Sequence, residues 1–458
     1  MNRHVAGSLM AITLIVVPCM AAAQQQQVSV SATPGQPPSP QQIVTCTSTA
    51  GQRQVCAADT AAGVALLRST GSAACLLGKT WGYDDKGIWV FDGCGAEFGL
   101  GSTQEGTGGN EFLGMFEPYG QIRTHLAAFN DTAEVQDNAT RVGINFRTRG
   151  SVQMYAGVEW GVKLVRNSTQ FNLTAYGPGE FGEVTSESTS PFIARLGFAG
   201  VDFGPAGRVA IGKQKSTHYD VTGYTTDRFN VFGGQGTSTY VAGTDGGPTG
   251  TGRADRAIIY RNKIFNIFEV GLQGQFRGTD ANGLGASAQV TILPGVTIGG
   301  SLTHTNWPQA TRDAIQGLEE SSDYAALGTR IDWKHLEVGF VYSHHTNGDM
   351  VSLPVDGANR SIAFDANGTE LYVRAGLGSI GLIGGYTHLG PKDRNPLLNP
   401  DFKTSYAILG GEWLVSPRAK LYTESKIDLD TVSATGAKAD NVFTIGFRYD
   451  FTVKISHR

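Results

Sequence analysis

The chain has 458 residues, a formal net charge of −4, only 17% charged residues and 62 glycines. A balance this close to neutral offers no basic face for nucleic acid. After residue 23 no apolar run reaches the roughly 18 to 20 residues of a membrane-spanning helix, so a helical membrane protein is excluded as well.

The chain opens with Met1-Asn2-Arg3-His4, an apolar stretch from Leu9 to Val17 and the small residues Ala21-Ala22-Ala23. This charged, apolar and A-x-A order predicts a secretory signal peptide over 1–23, cleaved after Ala23. Pro18 stands where a lipoprotein box needs a small residue, so Cys19 leaves with the leader. Residues 24–42, with Pro34, Pro37, Pro38 and Pro40, have the composition of a disordered Gln/Pro-rich spacer.

Residues 43–98 carry Cys46, Cys56, Cys75 and Cys94, and no cysteine follows. An even number crowded into an exported segment predicts two disulfides within a small β-rich domain. Zinc would need a CxxC pair or spaced histidines, which are missing. Four cysteines allow three pairings, and Cys46 with Cys94 and Cys56 with Cys75 is the expectation taken forward. Trp81 and Trp89 read as core residues rather than as a sugar platform, which leaves cell-wall contact without a sequence signal. With Trp81-Gly82-Tyr83, Ile88-Trp89-Val90 and Gly93-Cys94-Gly95-Ala96-Glu97-Phe98, the segment resembles a small domain of exported bacterial proteins that has no established function. A Gly-rich linker is expected over 99–117.

From Tyr119 onward, segments of about ten residues alternate apolar and polar side chains. Val142, Ile144 and Phe146 fall on one face and Arg141, Asn145 and Arg147 on the other; Ser151 to Val165 repeats the pattern. A period of two means strands with one apolar face. Sixteen strands are predicted, starting near Tyr119, Ala139, Ser151, Ser190, Ala206, Ala254, Asn266, Leu284, Gly295, Ser322, His335, Gly368, Ser379, Lys403, Arg418 and Ala439. Links after even-numbered strands are tight, as at Gly204-Pro205 and Ser416-Pro417, whereas Arg166–Thr189, His218–Gly252 and Thr346–Asn367 are long and polar. Short turns alternating with long loops around an even number of strands predict an antiparallel transmembrane β-barrel over 118–451, with a C-terminal extension over 452–458. Closure satisfies every backbone group in lipid, and about sixteen strands leave room for an aqueous lumen. Both barrel ends, and with them the cysteine domain, are expected on the periplasmic side.

The third external link, His218–Gly252, is long enough to be either functional or unstructured. The pieces Tyr119-Gly120, Thr140-Arg141-Val142-Gly143, Ala194-Arg195-Leu196-Gly197-Phe198-Ala199-Gly200, Tyr219 to Asp227, Phe232-Gly233-Gly234 and Gly252-Arg253 follow in order on alternating strands. In this order they resemble the general porins of Gram-negative outer membranes, over Tyr119 to Phe451. The resemblance implies a homotrimer in outer-membrane lipid that passes small hydrophilic solutes and ions without energy input, without a cofactor and without catalysis. It also implies a third loop folded into the lumen as a constriction, faced by Arg141, Arg195 and Arg253, with Asp227 as the opposing loop acid. Val231, Gln235 and Gln121 stand where enteric members carry glutamate, aspartate and lysine, and Arg123 shares a face with Gln121. Such a ring opposes its arginines weakly, which predicts weak anion preference or little selectivity. The last strand, with Phe443, Ile445, Phe447, Tyr449 and Phe451 on one side, reads as lipid-facing.

Other signals point elsewhere less strongly. Gly376-Leu377-Gly378-Ser379-Ile380-Gly381 matches G-x-G-x-x-G but sits in a strand-to-strand turn with no helix behind it. His344-His345, His304 and His335 read as solvated histidines rather than metal ligands, because adjacent strand residues point to opposite faces. Two rival functions remain, a barrel with a plugged lumen acting as anchor or receptor, and a serine–histidine lipid hydrolase without a G-x-S-x-G elbow.

Overall fold

The computed structural model describes residues 43–60, 64–76, 79–84, 86–100, 114–129, 131–165, 191–233, 236–237, 249–355, 358–392 and 395–456. The predicted leader with Cys19, the 24–42 spacer and most of the 99–117 linker lie outside these residues. The chain divides into two units, Met1–Asn110 and Glu111–Arg458.

The first unit contains β1 (Ile43–Thr47), β2 (Arg53–Cys56), β3 (Val64–Ser69), β4 (Trp81–Asp84), β5 (Gly87–Phe91) and β6 (Gly95–Leu100). They form two three-stranded sheets, β1-β6-β3 and β2-β5-β4. Between them Cys46, Trp81, Ile88, Val90, Cys94, Ala96, Phe98 and Leu100 make one buried core, in which the rings of Trp81 and Phe98 are 4.9 Å apart. Alternation along β5 sends Ile88 and Val90 inward and Trp89 outward. Trp89 is half-buried under the Arg53 guanidinium, 4.6 Å from its ring centre, so only one of the two expected core tryptophans is in the core.

The disulfides correct the expected pairing. Cys46 joins Cys56 and Cys75 joins Cys94, with Cα separations of 5.9 and 5.0 Å. The reason is topological: β1 turns back at residues 48–52 into β2, which brings Cys46 beside Cys56. Cys94 precedes β6, where it forms a bridge to Ala73 beside Cys75.

The second unit is a closed antiparallel barrel of sixteen wall strands. Its first half contains β7 (Gly114–Phe129), the short β8 (Thr132–Asp137), β9 (Arg141–Thr148), β10 (Gln153–Val162), β11 (Phe192–Asp202), β12 (Arg208–Lys215), β13 (Arg253–Ile264), β14 (Phe268–Gln275) and β15 (Asn282–Leu293). The rest are β16 (Val296–Asn306), the two-residue β17 (Ile315–Gln316), β18 (Ser321–Asp332), β19 (Leu336–Val355), β20 (Ala358–Leu377), β21 (Ile380–Pro391), β22 (Thr404–Ser416), β23 (Ala419–Asp428), β24 (Val442–Thr452) and β25 (Ile455–Ser456). Pairing of β24 with β7, from Phe443 opposite Ala128 to Thr452 opposite Tyr119, closes the ring. Leu272, Leu284, Leu302 and Leu327 are 58 to 66% exposed, while Gln273, Ser301, Thr303 and Ser343 are buried. Apolar residues outside and polar residues inside are the pattern of a barrel bathed in lipid.

Two regions depart from the expected boundaries. The 346–367 link is largely strand: β19 and β20 extend into a long hairpin, because Val351, Leu353, Ile362 and Phe364 alternate and pack with Leu389, Leu398, Phe402 and Ala434 into an apolar cluster. Within the predicted C-terminal extension, Ile455 pairs with Phe116 and Ser456 with Met115 on β7, which starts at Gly114.

Candidate functional site

The third external link leaves β12 and turns inward. Ser216 caps α1 (Thr217–Val221) by accepting from the Tyr219 N–H at 2.9 Å, and α2 (Gly223–Thr226) follows. Thr217, His218, Val221, Thr222, Thr225 and Thr226 are all buried. Glycines on the wall admit the loop: a side chain at Gly339 would meet the Thr225 carbonyl, and one at Gly385 the Phe229 ring.

Beyond α2, four wall carboxylates on the far side of the ring hold the loop. Glu337 on β19 binds Arg228, and Glu370 on β20 accepts from the Thr226 hydroxyl and from the Gly236 N–H at 2.8 Å. Glu412 on β22 accepts from the Asn230 side chain at 3.1 Å. Glu424 on β23 accepts three loop N–H groups, from Asn230 at 2.8 Å, Val231 at 2.9 Å and Phe232 at 2.7 Å. Arg123 and Asn138 donate to the Asn230 carbonyl from β7 and from the kink between β8 and β9. Ala139 makes that kink with φ of 54°, and it aims Asn138 inward.

The predicted charges fall on the near side of the loop. Arg123 is buried at the loop tip, and Arg141 at the start of β9 is half-buried, donating to the Ala139 carbonyl at 3.3 Å. Arg195 meets Glu159 at 2.7 Å, and Glu159 also accepts from the Tyr119 hydroxyl at 3.1 Å. Arg253 is buried and sits opposite Lys215 in the β12–β13 register. Asp227 accepts from the Tyr219 hydroxyl at 3.1 Å. Arg123, Arg141, Lys215 and Asp227 are close enough to couple electrostatically, whereas Gln235 and Asp245 lie outside the described residues.

Several residues of this site carried no sequence expectation. Lys215 lies 4.6 and 4.5 Å from the ring centres of Tyr219 and Tyr224. Arg261 binds Asp220 through two nitrogens at 2.7 and 3.2 Å. Inward position was a usable signal for Glu424, which alternates with Leu421 and Phe443-facing neighbours on a strand of clear period, but its partner lies 194 residues away.

His345 is a further correction, being fully buried rather than solvated. Its Nδ1 lies 2.5 Å from Asp349, and its Nε2 lies 2.8 Å from the Ser343 hydroxyl. This order matches a nucleophile, base and acid. All three side chains are buried, and the Ser343 hydroxyl donates to the Gly236 carbonyl of the loop at 3.5 Å. No cluster suited to a metal ion occurs among the described residues.

A family model described as "Gram-negative porin" matches residues 105–455. The chain belongs to the Gram-negative porin family. A second model, for a protein of unknown function (DUF3011), matches residues 19–125 of this porin. Outer membrane porin F of Xenorhabdus nematophila is 24% identical over 363 residues, covering 73% of this chain and 91% of that protein. Outer membrane porin PhoE of Enterobacter cloacae is 27% identical over 326 residues, covering 66% and 86%. The fold matches Salmonella typhi OmpF, solved with daunomycin, at a TM-score of 0.57 and 16% identity over 74% of this chain and 97% of that one. An anion-selective porin from Comamonas acidovorans aligns at 0.54, also with 16% identity, over 74% and 100%. This porin is an outer-membrane channel protein of a Gram-negative bacterium.

Proposed function

We propose that this porin is a passive diffusion channel without catalytic activity, constricted by its inward third loop and mildly selective for anions. The observation that carries this reading is the unequal use of charge. Glu337, Glu370, Glu412 and Glu424 are all engaged with the loop, while Arg123, Arg141 and Lys215 gather on the other side of it, opposed chiefly by Asp227. Charges beyond a Debye length of roughly 8 to 10 Å are screened, so these residues outweigh acids on the outer loops. Arg195 contributes less than its position suggests, because Glu159 neutralises it.

A solved relative, OmpT of Vibrio cholerae, is described as a trimer, and a homotrimer is the assembly proposed here. The N-terminal disulfide unit is assigned to the periplasm, since β7 begins and β24 ends at the short-turn end of the barrel. The test is current through the full-length protein in a planar bilayer under a potassium chloride gradient. A reversal potential on the chloride side is expected. Absence of current would reject the channel, and strong cation preference would reject the constriction as assigned.

A further inference from the structure

Below the loop, towards the short turns, the barrel lumen holds an open cavity of about 930 Å³ lined by β7, β9 to β15 and β18 and by Asp220 and Tyr224 of the loop. Its charges follow the sheet register. Asp202 pairs across to Arg208, and Arg208 pairs across to Arg261. The four acids of the lining each have a basic neighbour, Asp202 in Arg147 at 3.1 Å, Asp220 in Arg261 at 2.7 Å, Glu269 in Lys263 at 2.8 Å and Glu117 in Lys454 at 4.0 Å. Arg208 is exposed to the cavity and has no ion pair or hydrogen bond among the described residues. Arg261, opposite Arg208, is neutralised by Asp220, which leaves Arg208 as the guanidinium of this pair able to meet an anion. The surroundings are not those of a simple ion trap. Tyr155, Phe198 and Tyr224 line the same space, with Tyr155 lying across Gly200, where a side chain would meet its ring.

We propose that this cavity is a binding site for aromatic carboxylates, with Arg208 taking the carboxylate and the Tyr155, Phe198 and Tyr224 rings taking the apolar body. A planar guanidinium pairs with a carboxylate through two parallel hydrogen bonds, and the cavity is of the size that holds small organic ligands. The site rests on the anion-conducting reading above and refines it, by giving one class of solute a station on its path.

The probe is benzoate, with acetate and inorganic phosphate as anions that lack a ring. Binding of each to the full-length detergent-purified protein is measured by titration calorimetry, which requires no current. Benzoate is expected to bind at least about threefold to tenfold more tightly than acetate, from the ring contacts. Arg208→Gln is expected to weaken benzoate by about tenfold or more, and Lys403→Gln, on an outer loop, to leave it unchanged. In bilayers benzoate should reduce the chloride current saturably in the wild type and not in Arg208→Gln. Equal binding of benzoate and acetate, phosphate outcompeting benzoate, or an unaltered Arg208→Gln variant would overturn the site while leaving anion conduction standing. Lack of any chloride preference would instead overturn the reading beneath it, and calorimetry would still decide the site.

Discussion

The two sides of the lumen use their charges differently. On β19 to β23 the carboxylates face loop backbone and loop side chains, and each is held by a hydrogen bond or ion pair to the loop. On β7 to β13 the cations meet Glu159, Asp202 and Asp220 or backbone carbonyls, as Arg123 meets Asn230 and Arg141 meets Ala139. In the proposed reading the acids hold the loop, with Glu337 and Glu412 also binding Arg374, and the cations opposite set the potential beside it. Overall charge, −4 along the chain, says little about what a passing ion meets.

The strongest way to break this division is at Glu424. Glu424→Ala leaves three loop N–H groups, two of them buried, without an acceptor, which favours detachment of the loop tip by about 3 kcal/mol. Single-channel recordings should show a larger and noisier conductance, with Glu424→Gln intermediate. Next in size is Lys215→Glu, which changes the charge beside the loop tyrosines by two units. At close range each unit is worth about 1 kcal/mol to an ion in water, so the permeability ratio should move towards cations by about tenfold or more. Reversal potentials that stay put would remove Lys215 from the conduction path.

A smaller, signed pair sharpens the comparison further. Arg195→Gln frees Glu159 and should shift selectivity modestly towards cations, whereas Glu159→Gln frees Arg195 and should shift it towards anions. Shifts of the same sign in both variants would mean that the 2.7 Å pair is not in the ion's field. The N-terminal unit should not enter at all: peptide mapping without reduction should recover Cys46 with Cys56 and Cys75 with Cys94, and reduction should leave conductance unaltered. The smallest effect is expected at the exposed Lys403–Asp430 pair on the outer loops. The side-chain hydrogen bond from Lys403 holds the Asp430 carboxyl below its usual range. Its contribution is therefore present above the ordinary aspartate value of about 4 and is lost as pH falls through the lower folded value. Lys403→Ala should not change the heat-dissociation temperature of the barrel measurably at neutral pH.

The wall was legible because a period of two is a local property. Sixteen strands are present where sixteen are predicted, and most begin within a few residues of the predicted start. The largest departure has a local cause. Strand β20 starts at Ala358 instead of near Gly368 because Ile362 and Phe364 extend the alternation into a polar, glycine-containing stretch. On the cation side the inward direction of Arg123, Arg141 and Arg195 was legible from strand alternation, whereas Lys215 and Arg261 carried no signal. The acid side was not, because an inward glutamate gives no sign of what it will hold. Glu424 and Val231 are 193 residues apart, and only the closed ring brings them together. The disulfides failed for a similar reason, as four cysteines are compatible with three connectivities until the path of β1 into β2 is known.

The glycines beneath the third loop act as a mould pressed into the wall. Gly339 lies against Thr225, Gly385 against Phe229 and Gly328 against Val221. The course of the loop is thus inscribed partly in strands that never form its sequence. A new side chain in this mould would act as a wedge, displacing the aperture while the hydrogen-bonded cylinder around it stays closed. Such a protein can retune what passes through it by single substitutions outside the loop, without having to find a new fold.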